Sequence, residues 1–194
     1  MRLIAAFGLF FLWTIPGWPA STQKAAVENK PSGALQPPPG FVQVEVLGVI
    51  QAEGSRAVVL RDAQGGILLP IWIGEAEAFS IQLRLERRRF ERPLTHDLVD
   101  RILRELGGEL VKIQIDDLRN NTFMASITIR QGKRTFSLDA RPSDSIALAV
   151  GNQAPIFVAR SVLEQAGIKQ QELDQSPEPF RKPEPAPEPA EHSI

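Results

Sequence analysis

The chain reads twice. Shifted by 146 − 81 = 65 positions, Ile81-Gln82-Leu83 falls on Ile146-Ala147-Leu148, and the run Val44 to Ile50 falls on Glu109 to Ile115. The same shift lays Ile71 to Ile73 on Phe136 to Leu138 and brings a helix start at Thr95 close to one at Ser161. The order and spacing of elements repeat, while side-chain identities do so only weakly, which is how a duplicated architecture shows itself in a sequence. The expected fold is therefore α+β, a single domain of two β-β-β-α halves, each followed by a second helix, around one mixed sheet.

The elements follow from local pattern. Phe41 to Ile50 alternates through Val42, Val44 and Val46, and Arg56 to Leu60 follows a turn at Glu53-Gly54, so both are expected to be strands. Ile67 to Ile73 is apolar enough for a strand covered on both faces, with Trp72 in the core. Helices are expected over Glu75 to Leu85 and from a Thr95 cap to Leu106, the second with Leu98, Ile102, Leu103 and Leu106 as its apolar face. Strands at Leu110 to Ile115, Thr122 to Arg130 and Lys133 to Leu138 come next, the first two joined by a polar turn over Asp116 to Asn121. Phe136 and Leu138 mark the third as half-buried. After a helix beginning near Pro142, Pro155 to Ala159 is a short strand and Ser161 to Glu164 a capping box for a last helix.

The two ends read differently from this core. Met1-Arg2 followed by a short apolar run resembles a secretory signal over residues 1–20, with retention as an N-terminal membrane anchor as the alternative. Residues 21–40 are a Pro/Ala-rich linker, residues 41–171 the folded domain, and residues 172–194 an unstructured Pro/Glu-rich tail. The expected location is the periplasm or cell envelope, with no transmembrane segment beyond an uncleaved signal. With 43% hydrophobic and 23% charged residues the composition is that of an ordinary globular domain. No cysteine is present, which excludes disulfides, a thiolate nucleophile and Cys-ligated zinc. Net charge is −1, or −1 − 1 = −2 without Arg2, so any affinity for phosphate has to be local.

Three clusters carry chemistry. Leu138 to Val150, L-D-A-R-P-S-D-S-I-A-L-A-V, places Asp139, Arg141 and Asp144 around a strand-to-helix corner, where a helix N-terminus favours anions. The plainer alternative makes Asp144 a helix cap and pairs Asp139 with Arg141. His96 and Asp97 open the middle helix, either as an acid–base pair or as an ordinary helix start. Arg84, Arg87, Arg88, Arg89 and Arg92 form a phosphate-sized basic field, some of it accounted for by the helix dipole. The phosphate-binding glycine loop, the nucleophile-elbow serine and the H-E-x-x-H zinc helix are absent from the sequence.

L-P-I-W-I-G-E-A-E-A at 69–78, R-P-L-T-H-D-L at 92–98 and the 138–150 run together resemble the bifunctional nuclease (BFN) domain family over about Phe41 to Gln165. The resemblance implies a duplicated α+β fold with a curved sheet and a nuclease acting on DNA and RNA. It carries a motif match to Glu75, Glu77, His96, Asp97, Asp139, Arg141 and Asp144. Two departures stand out: the signal-like start and Pro/Glu tail, and Arg87 where a helix-ending glycine is expected. The expected activity is a phosphodiesterase assisted by Mg²⁺ or Mn²⁺, with Asp139, Asp144, Glu75 and Glu77 as ligands. Asp139, Asp144, Arg141, His96 and Asp97 are the catalytic candidates, and Arg87, Arg88, Arg89 and Arg92 hold substrate phosphates. Nucleic acid is the expected partner, with homo-oligomerisation as a further expectation. The alternative is an exported, non-catalytic interaction or nucleic-acid-binding module that keeps the fold.

Overall fold

In the computed structural model, which describes residues 35–52 and 54–173, apolar alternation becomes strand and 3.6-residue spacing becomes helix largely where expected. The signal, most of the linker and the tail beyond Leu173 lie outside the described residues. The first half runs β1 (Phe41–Ala52), β2 (Ser55–Asp62), β3 (Ile67–Ile73), α1 (Glu75–Leu85) and α2 (Thr95–Glu105). The second runs β4 (Gly108–Arg119), β5 (Thr122–Gln131), β6 (Arg134–Ala140) and α3 (Pro142–Asn152). It continues with β7 (Ile156–Ala159), α4 (Arg160–Ala166), β8 (Ile168–Lys169) and α5 (Gln170–Leu173). Among the described residues no helix is long and apolar enough to cross a membrane.

All eight strands form one open, mixed sheet in the order β6-β5-β4-β7-β1-β2-β3-β8. Each half contributes an antiparallel three-stranded meander, and β7 sits between them, antiparallel to β1 and parallel to β4. Its residues Ile156 to Ala159 are all buried, as a central strand covered on both faces requires. The core is built from Leu60, Leu69, Ile81, Ile113, Ile146 and Val158 with their neighbours. α1 packs on α3, and α3 on β4 and β5.

Several local expectations change. The sheet and first helices repeat at 142 − 75 = 67 positions rather than 65, whereas α2 and α4 start 160 − 95 = 65 apart. A shift of two keeps every strand residue on its own face, so alternation alone does not separate the two offsets. Asp116 and Asp117 belong to β4, which bulges between Ile115 and Asp117. The turn is only Asn120-Asn121, with φ of 48° and 60°, the left-handed pair a two-residue hairpin demands. Trp72 is only half-buried, and β6 is exposed from Arg134 to Asp139, because it is the sheet's edge. Neither Thr95 nor Ser161 caps a helix by its side chain. Thr95 and Ser161 both lie inside their helices, behind Leu94 and Ala159 at the N-caps.

Arg87 takes the place of the expected glycine and adopts the glycine's conformation, φ 54°. Arg87 N–H donates to the Arg84 carbonyl and Arg88 N–H to that of Leu83, the paired bonds of a Schellman stop. The loop of residues 86–94 then returns past α1, where Phe90 meets Phe79 edge to face at 5.7 Å between centroids.

Candidate functional site

Pro142 opens α3 because its fixed φ suits the first helical position and its missing N–H has no partner to lose there. Ser145, fully buried, donates its hydroxyl to the Arg141 carbonyl at 3.0 Å and so fixes the corner from within. With no side-chain cap at this helix start, Asp144 is turned elsewhere. It accepts from Arg141 Nε at 2.7 Å, from Arg141 Nη2 at 3.0 Å and from His96 Nε2 at 3.1 Å. The capping account of Asp144 and the Asp139–Arg141 pair are thereby replaced by a three-element cluster.

Arg141 Nη2 also donates to Glu77 of α1 at 2.8 Å. Its Nη1 group has no partner among the described residues, and the side chain is 67% exposed. The guanidinium thus bridges two carboxylates on its inner side and presents free donors outward. His96 is 8% exposed, and its Nδ1 lies 2.9 Å from the hydroxyl of buried Ser80 on α1. An ionised Asp144 only accepts, so Nε2 carries the proton of the neutral ring and Ser80 donates to Nδ1. Burial opposes the charge on Asp144, but the hydrogen bonds from Arg141 and His96 and the charge of Arg141 outweigh it and hold the carboxyl below the usual carboxylate range.

Beneath this chain lies a second knot of charge. Arg84, 8% exposed at its side chain, donates to Asp97 at 2.8 Å, to Asp100 at 2.8 Å and to the Ala147 carbonyl at 3.1 Å. Asp97 also accepts from Leu94 N–H at 3.0 Å, which satisfies an amide at the start of α2. Asp100 accepts from Asn152 at 2.6 Å. The guanidinium lies over Gly151, where a Cβ would run into it. Asp97 and Arg84 are therefore structural ties between α1, α2 and α3. Sequence reasoning missed Ser80, Asp100 and Asn152, and it counted Arg84 with the exposed arginines.

The proposed metal ligands do not gather. Glu75 pairs with Arg56 at 3.1 Å, and Asp139 is exposed on β6 with no side-chain partner among the described residues. Glu77 and Asp144 are bridged by a guanidinium where a metal site needs a cation. Among the described residues no group of three His, Asp or Glu is placed to hold an ion, so this donor set does not form a cage for Mg²⁺ or Mn²⁺. Arg87, Arg88, Arg89 and Arg92 are all exposed on or beside the α1–α2 loop, and among the described residues only Arg88 of the four has an ion-pair partner, Glu86.

A duplicated α+β domain with an arginine–carboxylate–histidine cluster at the starts of three helices is the class these features define. Residues 58–171 match the bifunctional nuclease domain, and the chain belongs to that family. An uncharacterised protein of Mycobacterium tuberculosis is 40% identical over 129 residues, 66% of this chain and 77% of that protein. Bifunctional nuclease 1 of Oryza sativa subsp. indica is 27% identical over 128 residues, 64% of this chain and 39% of its own length. Bifunctional nuclease 2 of Oryza sativa subsp. japonica is 30% identical over 117 residues, 58% and 36% of the two chains.

Proposed function

We propose that the chain is a nuclease that hydrolyses phosphodiester bonds in DNA, RNA or both at the Arg141 corner. One observation carries this reading: the three motif stretches, far apart in sequence, each deliver a side chain to a single cluster, Glu77, His96 and Asp144 around Arg141. Family membership supports the same activity.

Arg141 takes the substrate phosphate through its outward donors, as a guanidinium fork matches two phosphate oxygens. As it turns to the phosphate, Asp144 gives up the Arg141 bonds that help depress its pKa and becomes a better base toward the attacking water. His96 keeps the carboxylate aimed through Nε2–H, and buried Ser80 holds the ring in that tautomer. Arg87, Arg89 and Arg92 hold neighbouring phosphates, and Asp139 is the alternative base at the same corner. Mg²⁺ or Mn²⁺ carried on the substrate phosphates would add charge neutralisation there without a protein cage of its own. The signal-like start supports action outside the cytoplasm.

A second reading, a nucleic-acid-binding module without turnover, is favoured by the saturation of Asp144, which accepts from Arg141 and His96 at once. Labelled single- and double-stranded DNA and RNA incubated with the full chain in Mg²⁺, Mn²⁺ or EDTA separate the two. Cleavage that Arg141→Gln abolishes supports the nuclease. Binding without cleavage in every condition supports the module, and neither binding nor cleavage removes both.

A further inference from the structure

Helix α2 is inside out. Its buried residues are His96 and Asp100, held by Ser80, Asp144, Arg84 and Asn152, while Leu98 is 53% exposed, Ile102 49% and Leu106, at the helix end, 65%. Val99 completes an outward apolar stripe. Residues spaced by three and four form one continuous face, here about 16 Å long for the 11 residues of the helix. Contiguous exposed apolar surface of this kind marks an interaction site.

We propose that this stripe is the contact with a second copy of the chain, the two α2 helices packing antiparallel about a two-fold axis. The charge pattern selects that occupant. Arg101 and Glu105, both exposed, run along one edge of the stripe, and the opposite edge turns inward at Leu103 and His96. In an antiparallel pair of identical helices each edge faces itself with its direction reversed, so Arg101 meets the second copy's Glu105 and Glu105 meets its Arg101. The chain's own apolar start is a poorer match, since residues 1–20 contain no acid to meet Arg101. An uncharged apolar stripe also offers nothing to a polyanion. A single short helix per copy lies below the roughly 800 Å² per partner of a standard interface, so the dimer is weak, roughly micromolar. Each α2 would then serve its own His96 on the inner face and its partner on the outer.

The test uses the full chain and its lack of cysteine. Sedimentation should show a concentration-dependent dimer, and Ile102→Lys should return it to monomer with unchanged circular dichroism. Mixing the single variants Arg101→Cys and Glu105→Cys under mild oxidation should give the mixed disulfide well above the level of a Lys133→Cys control. Arg101→Glu or Glu105→Arg alone should weaken the dimer, and the two together should restore it. A monomer up to about 100 µM, an association indifferent to Ile102→Lys, or cross-linking no better than the control each overturns the proposal.

Discussion

Glu77 and Asp144 hold the same place in the two halves, the third residue of α1 and of α3, 144 − 77 = 67 positions apart, and both close on Arg141. Arg141 itself corresponds to Gly74, which has no side chain to answer it. The duplication thus made two acid-bearing helix starts, and divergence gave only one of them a cation. A second such pair lies deeper, since Arg84 of α1 corresponds to Gly151 of α3 and lies directly over it.

That second pair makes Gly151→Ala a direct test of the packing. The added methyl meets the Arg84 guanidinium, so stability should fall by about 1–3 kcal/mol, the usual cost of overpacking. Arg84→Met should also destabilise, by leaving Asp100 buried beside Asn152 alone. In the double variant the methyl no longer meets a guanidinium, and the two losses should sum to less than their separate values in urea unfolding. Full additivity would place Arg84 away from Gly151.

Arg87 separates binding from folding. A non-glycine residue at φ 54° costs roughly 1–2 kcal/mol relative to glycine. Arg87→Gly should therefore raise the unfolding midpoint while it weakens nucleic-acid binding, lowering the slope of log K against log salt by about 1 if Arg87 contacts one phosphate. An unchanged slope would remove Arg87 from the phosphate set.

How much of this was legible follows from particular residues. Alternation in β1 and β2 and the punctuation at Pro142 located the elements, and the motif runs located Arg141, Asp144 and His96. Helical period in α2 showed an amphipathic helix but not its orientation. Apolar faces ordinarily turn inward, and here charge pairing reversed the rule, with Arg84 drawing Asp97 and Asp100 toward the interior. Ser80 and Asn152 were invisible for a related reason. Ser80 reaches His96 and Asn152 reaches Asp100, each a partner at least 16 residues away, and no local pattern reports such a contact.

Acid stability should depend on Asp144. Its pKa is lowered in the folded chain, so its contribution is complete above the ordinary carboxylate range of about 4 and is lost as pH falls through the lowered value. Asp144→Asn removes that contribution. The stability of the parent and of the variant should therefore converge as pH drops below about 4 and differ at neutral pH. Parallel curves across this range would mean that Asp144 has no folded-state preference for its charge.

The tautomer of His96 is the most specific consequence of the cluster. With Asp144 ionised, the neutral ring should carry its proton on Nε2 and accept from Ser80 at Nδ1, a state that imidazole ¹⁵N shifts identify. Ser80→Ala removes the donor to Nδ1 and leaves a buried acceptor without its partner, at a cost of about 1–3 kcal/mol. The ring then has less to hold Nε2–H on Asp144, so its ¹⁵N signals should shift toward a mixture. Any cleavage activity should fall through turnover more than through KM, because Ser80 touches His96 and no substrate. Ser80→Thr keeps the hydroxyl and should restore the shifts wherever the extra methyl is accommodated. Unchanged ¹⁵N shifts in Ser80→Ala would mean that Asp144 alone sets the tautomer and that Ser80 is packing.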